Sequence, residues 1–341
     1  MGFWCNPSCN TLCLQEIRKE KRSVNRAAKR LTLGSNLALA ISASVLAGGI
    51  WSYQKDRSGL IRRAKALQQL GEQLDIKAAE LIATHPRDEN AQSTRLPGIL
   101  FENGLCMPPE SWHWVIQGLR ADFRTVCYTR PGYGLTPARA SQIDMAHLAI
   151  DRFPHDQKIV YVAHSIGALF LERYLHAIPA LSERVELVVL VDPTVAEDFV
   201  EVPHNVQLLN GLRQSMLLEQ LGSLIGTSRI DPDIQRDINC IRDVQERYID
   251  FVHNYKNLRT ARREINMFLD DLPVPYTYHC PVIILMSDEN TRAVPDGLQQ
   301  HQISSRADIC DIHRISGSNH HSIIGTNSYA SQVVETIKER F

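Results

Sequence analysis

Charge of one sign is missing from this sequence: 37 Lys and Arg stand against 38 Asp and Glu in 341 residues. Without a basic footprint there is no expectation of a nucleic-acid partner. Low complexity is missing too, since 18 Gly and 16 Pro are ordinary usage and exclude a collagen-like chain. With 44% hydrophobic and 22% charged residues, the chain lacks the composition of wholesale disorder. No phosphate-cradling loop is present. The nearest candidate, Pro131-Gly132-Tyr133-Gly134, lacks both the spacing and the lysine of such loops. No His, Cys and acidic residues recur at metal-ligand spacing. Neither a cofactor nor a metal is therefore expected. What remains is a globular protein with a sizeable core, as one large domain or one domain with an appendage.

The first residues are a different material. After a basic segment, 1–30, comes a stretch of 24 residues, 31–54, without a charge. As a helix it would span about 36 Å, enough for a bilayer core of about 30 Å. Trp51 and Tyr53 stand at one end, where headgroups favour such rings. A single-pass transmembrane helix over 31–54 and a membrane localisation are expected. Flanking cations, seven before and five after, favour a cytoplasmic N-terminus. The cysteines pull the other way, because five odd thiols in the body suit a reducing compartment. The side of the membrane stays open. Cys5, Cys9 and Cys13 share a helix face at a spacing of four and read first as unmodified thiols. Over 55–96 a helical neck follows: Leu60, Ile61, Ala64, Leu67, Leu70, Leu74, Ala78, Leu81 and Ile82 recur at helical steps until Pro86.

From residue 97 to 341 apolar, β-rich runs alternate with helical patterns. The runs at 98–101, 125–128, 158–163, 185–191, 281–286 and 309–315 suit strands buried on both faces. Helices are expected over 111–120, 142–153 and 166–177. Such alternation gives an α/β fold with a mostly parallel, doubly wound sheet. About 88 residues separate Asp192 from Pro281, and their helical patterning predicts an insertion over one end of the sheet, about 195–275.

Chemistry concentrates at Val162-Ala163-His164-Ser165-Ile166-Gly167-Ala168. A strand runs into Ser165 and a helix follows at once, and such a sharp turn needs the small neighbours Ala163 and Gly167. The Ile166 N–H, at a helix N-terminus, is one candidate oxyanion donor. A hydroxyl nucleophile needs a base. His320, directly after the turn Ser316-Gly317-Ser318-Asn319, is favoured over His321. An acid should lie between them in sequence. Asp288 in VIILMSDEN is favoured, with Glu289 as a local fallback. Asp192 in LVVLVDP is the alternative, or a turn cap. The strand and turn Ile99-Leu100-Phe101-Glu102-Asn103-Gly104-Leu105 offers the Leu105 N–H as the second oxyanion donor.

Through FENGLCMPPESWHW, YTRPGYGLTP, VAHSIGALFLERY, VVLVDPT, VIILMSDEN and SGSNHH, residues 97–341 resemble the α/β-hydrolase superfamily. The resemblance implies an eight-stranded, mostly parallel sheet with a helical lid inserted after the sixth strand. It also implies a Ser–Asp/Glu–His triad, matched here at Ser165, Asp288 and His320, with oxyanion positions at Leu105 and Ile166. The chain departs from the pattern in three places. Asn103-Gly104 stands for a common His-Gly, Thr129 replaces an Asp before Arg130-Pro131-Gly132-Tyr133-Gly134, and no pair of early antiparallel strands is legible before Pro97. The expected function is a membrane-anchored serine hydrolase cleaving carboxylic, lipid-like or small-molecule esters. Acyl transfer, thioester or peptide cleavage on the same triad, and an inactive binding scaffold, are the alternatives. Oligomeric state is left open.

Overall fold

In the computed structural model the described residues are 38–66, 81–84, 96–196, 203–227, 238–289 and 302–341. Helix α1 covers 38–66. Strand β1 (Leu81–Thr84), β2 (Gly98–Glu102), α2 (His113–Leu119), β3 (Thr125–Tyr128) and α3 (Gln142–Ile150) follow. Then come β4 (Ile159–His164), α4 (Gly167–Ala177), α5 (Pro179–Arg184) and β5 (Val185–Val191). Three helices, α6 (Pro203–Ile225), α7 (Arg242–Val252) and α8 (Tyr255–Asp270), form the insertion. The chain closes with β6 (Val282–Ser287), β7 (Cys310–Ile315), the short α9 (Ser322–Gly325) and α10 (Asn327–Lys338).

The strands form one seven-stranded sheet in the order β1-β3-β2-β4-β5-β6-β7, parallel except for β1. Strand residues alternate between faces with a period of two, and the two faces build two cores. Leu100, Tyr161, Val188, Leu190 and Ile284 pack with α3 and α4 on one side. Ile99, Phe101, Val160, Val162, Val189 and Ile283 pack with α2 and α10 on the other. Burial on both faces is why these strands read as unbroken apolar runs. The eight strands implied by the resemblance become seven among the described residues. One early antiparallel strand is present after all: Leu81 and Ile82, spaced like helix residues, pair in β1 with Tyr128 and Cys127.

The expected transmembrane helix over 31–54 and the single-pass membrane localisation are overturned. No helix among the described residues is long and apolar enough to cross a membrane. Residues 31–37 lie outside the described part, as do 1–30 with their cysteines. From residue 38 the uncharged stretch continues into the charged half of α1, and Ser42, Ser44, Gly48, Gly49 and Ser52 dilute its apolar character. Instead, α1 docks on the insertion. The Ser52 hydroxyl donates to the Ser223 carbonyl, and Arg62 pairs with Asp250. Arg63 is buried against Glu110 at 2.7 Å, with its guanidinium 4.8 Å from the centre of the Phe251 ring. Arg247 of α7 reaches the other Glu110 oxygen at 3.1 Å. Two guanidiniums therefore share one buried carboxylate, the kind of pairing that makes removal of a partner costly.

Candidate active site

The C-terminal ends of β4 and β5 lie side by side and turn sharply. Among the described residues only Cys106, Ser165 and Asp192 are non-glycines with positive φ, at 54°, 55° and 43°. Such left-handed conformations cost on the order of 1 kcal/mol or more each, so backbone strain gathers at this edge of the sheet. Ser165 is held in its turn from both sides. Its N–H donates to the Val191 carbonyl at 3.0 Å, and its carbonyl accepts from Ala168 (3.0 Å) and Thr194 (3.1 Å). Gly167 is required for packing: a Cβ there would sit 2.8 Å from the Asn103 carbonyl oxygen.

Three side chains from three distant segments meet at this edge. His320 Nε2 lies 2.9 Å from Ser165 Oγ, and His320 Nδ1 lies 3.1 Å from Asp192 Oδ2. Asp192, not Asp288, is therefore the carboxylate at the imidazole. The register explains why. Val191 pairs with Leu285, and the Asp192 N–H donates to the Leu285 carbonyl at 2.8 Å, so the residue after β5 stays buried beside the nucleophile strand. Asp288, past the end of β6, turns the other way. It takes the Arg314 guanidinium and, at 2.7 Å, the Gly317 N–H, and so braces the loop that carries His320. Glu289 accepts the His320 backbone N–H at 3.0 Å rather than the ring. The neighbouring His321 donates its backbone N–H to Asn319 Oδ1 at 3.1 Å and borders a cavity.

Burial alone would raise the Asp192 carboxyl. Hydrogen bonds from His320 and from the backbone and hydroxyl of Ser287 outweigh burial and hold it below the usual carboxylate range. An ionised carboxylate thus faces the imidazole.

His164, the residue before the serine, carries no sequence signal of a role but enters the site. It is fully buried, its ring lies 4.6 Å from that of His320, and its Nε2 is 2.8 Å from the His320 carbonyl. Burial, then the charge of His320, pushes its pKa well down. The neutral ring carries its proton on Nε2, because a carbonyl can only accept. Asn103 also acts through its side chain: Nδ2 donates to the Tyr128 carbonyl at 2.6 Å, and Oδ1 accepts the Trp112 indole at 3.0 Å. That frames the turn Asn103-Gly104-Leu105. Leu105 follows this turn, half-buried, and Ile166 is buried at the start of α4.

A cavity of about 230 Å³ opens beside the turn. Leu105, Cys106 and Met107 form its floor, His321 borders it, and Met216, Tyr248 and Leu258 of the insertion cover it. Burial pushes the Cys106 thiol far up, leaving it an uncharged part of that wall. Among the described residues no group of His, Cys and acidic side chains is placed to hold a metal ion.

Solved structures share this architecture. An epoxide hydrolase from Bacillus megaterium is 14% identical, covering 76% of this chain and 96% of its own, with a TM-score of 0.54. The carboxylesterase CesB from Bacillus subtilis is 14% identical over 85% of this chain and 97% of its own, with a TM-score of 0.51. A serine hydrolase involved in carbazole degradation is 16% identical over 76% and 94%, also at 0.51. At such identities the likeness is one of fold, and these neighbours differ in substrate. No curated protein matches the sequence. The model of the alpha/beta hydrolase family matches residues 99–335, which takes in the parallel strands from β2 on, the insertion and all three side chains at the sheet edge, and the chain belongs to that family.

Proposed function

We propose that this hydrolase is a serine hydrolase of carboxylic esters, with Ser165 as nucleophile, His320 as general base and acid, and Asp192 as the carboxylate that orients the imidazole. The observation that carries the reading is the continuous line of hydrogen bonds from Asp192 Oδ2 through His320 to Ser165 Oγ, at 3.1 and 2.9 Å. Ser165 Oγ attacks the acyl carbon as its proton passes to His320 Nε2. The oxyanion is held by the N–H groups of Leu105 and Ile166, each contributing about 3 kcal/mol. Collapse expels the alcohol, which takes the proton back from Nε2. Water, deprotonated by the same nitrogen, then cleaves the acyl-enzyme and restores the Ser165 hydroxyl. Asp192 stays ionised throughout and stabilises the imidazolium. The Nε2–H of His164, donated to the His320 carbonyl, supports the same orientation from behind.

The apolar cavity beside Leu105 favours an aliphatic or aromatic acyl group. Hydrolysis of short p-nitrophenyl esters tests the proposal. Wild-type protein is expected to turn over, and Ser165→Ala to lose on the order of 10⁴-fold or more in kcat. A Ser165→Ala protein that keeps its rate removes Ser165 from the reaction.

A further inference from the structure

Arg130 lies in the loop after β3 and is only 2% exposed, yet all its nitrogens find acceptors. Nε donates to Glu264 Oε1 at 2.7 Å, and Nη2 to Glu264 Oε2 at 2.9 Å and to the Gly104 carbonyl at 3.0 Å. Nη1 donates to Glu102 Oε1 at 2.8 Å and to the Asn103 carbonyl. A guanidinium has five N–H donors in a rigid plane, and these five acceptors use the whole fork. The same plane lies 4.3 Å from the centre of the Phe170 ring in α4, the helix behind Ser165. One rigid group therefore touches the end of β2, the nucleophile helix and, through Glu264, insertion helix α8.

The two carbonyls it holds belong to the turn that presents Leu105. In a trans peptide unit the C=O and the following N–H point in opposite directions. Holding the Gly104 carbonyl against Arg130 therefore turns the Leu105 N–H away from Arg130. The turn has no slack on its other side: a Cβ at Gly104 would sit 2.7 Å from both His164 Nδ1 and Met107 Sδ. Orientation is thus set between a guanidinium on one side and the nucleophile strand on the other.

We propose that Arg130 is a positioning residue for the oxyanion hole, and that its bidentate pair with Glu264 makes the aim of the Leu105 N–H depend on the seating of α8. The inference rests on the reading of Leu105 as an oxyanion donor. It requires a loss confined to the transition state, because the charge to be stabilised exists only there.

Arg130→Lys keeps the charge and loses the fork. With a p-nitrophenyl ester, its kcat is expected to fall on the order of 100-fold, as for a displaced catalytic group, with KM within threefold. Should Arg130→Lys fail to fold, Glu264→Gln carries the test. It sets an amide donor or a weaker acceptor against the guanidinium, and a fall in kcat of about tenfold at unchanged KM is expected. Tyr278→Phe serves as the comparison. It removes a buried hydrogen bond of 2.8 Å to Glu172, away from the turn, and is expected to lower thermal stability while leaving kcat unchanged. Folded Arg130→Lys or Glu264→Gln with kcat within threefold of wild type overturns the inference. So does a loss that appears in KM alone, or one that Tyr278→Phe matches. The wild-type rate and the variant-to-wild-type ratio fail separately: no turnover by wild type overturns the esterase reading and this inference with it, whereas an active wild type with unchanged variants overturns only the role of Arg130.

Discussion

The sheet and the helices inserted after β5 are held by different balances of apolar packing and ion pairing. Strands β2, β4, β5 and β6 are buried on both faces, and their central residues, Val160, Val189 and Ile283 among them, have no exposure at all. The insertion exposes apolar side chains instead, with Leu218 at 70% and Leu221 at 52%. It is pinned to the rest by buried charges: Glu264 to Arg130, and Glu110 between Arg63 and Arg247. Apolar area fixes the sheet, whereas the insertion adds directional ion pairs to a smaller apolar contact, in which Phe251, Leu258 and Ala261 pack with Cys106 and Tyr133. The contrast teaches where the chemistry can sit. The strained residues Ser165 and Asp192 project from the part that close packing holds still, and the insertion beside them is seated in part by a few guanidiniums.

The sharpest way to break this comparison is to exchange the two aspartates that follow sheet strands. Asp192→Asn is expected to lower kcat on the order of 10⁴-fold, because the amide holds the wrong imidazole tautomer. Asp288→Asn, whose carboxylate braces the loop at Arg314 and Gly317, is expected to stay within about tenfold of wild type. Steady-state kinetics on one p-nitrophenyl ester read both, and equal losses would erase the distinction between the β5 and β6 ends of the sheet.

A stability measurement sharpens the same contrast. Ile283→Ala, in the core between β5 and β7, is expected to cost about 2–5 kcal/mol in denaturant unfolding. Leu218→Ala, on the exposed face of α6, is expected to change stability by no more than about 0.5 kcal/mol. Comparable losses would mean that Leu218 is covered in solution.

The smallest effect is one of pH. Burial holds the His164 pKa well below its ordinary 6.5, so below that pH the unfolded chain binds a proton that the folded chain refuses. Stability contributed by the neutral ring is complete above about 6.5 and is lost as pH falls below it. His164→Gln keeps an N–H near the His320 carbonyl and has no such titration. Its thermal midpoint is expected to vary less than that of wild type as pH falls from 7 to 5. Parallel curves would show that the histidine titrates alike in both states.

How much of this was legible in the sequence follows from the same physics. Strands buried on both faces leave unbroken apolar runs, so six of the seven strands stand out within a residue of their observed ends. Ser165 stands out because a strand-to-helix turn constrains its neighbours locally. The choice between Asp192 and Asp288 could not be read this way: each follows an apolar strand, and only the pairing of Val191 with Leu285 keeps the first beside the imidazole. Asp192 carried one usable signal, its place at the end of the strand after the nucleophile helix. Strand β1 was hidden because Leu81 and Ile82 also fit helical spacing, and a pattern of two residues does not separate the periods. The expected membrane helix failed because absence of charge is not the same as apolarity, and α1 spends its small and polar residues on contacts with α6. The roles of Arg130 and His164 gave no local sign, since Glu264 lies 134 residues from the first and His320 156 residues from the second.

The central claim is that the Ser165 hydroxyl, activated by His320, is the nucleophile. A fluorophosphonate probe followed by mass spectrometry of the digested protein tests it most directly. The account predicts a single adduct on the peptide that carries Ser165, with none in Ser165→Ala and strongly slowed labelling in His320→Ala. An adduct on another residue, or labelling of Ser165→Ala at the wild-type rate, would contradict it.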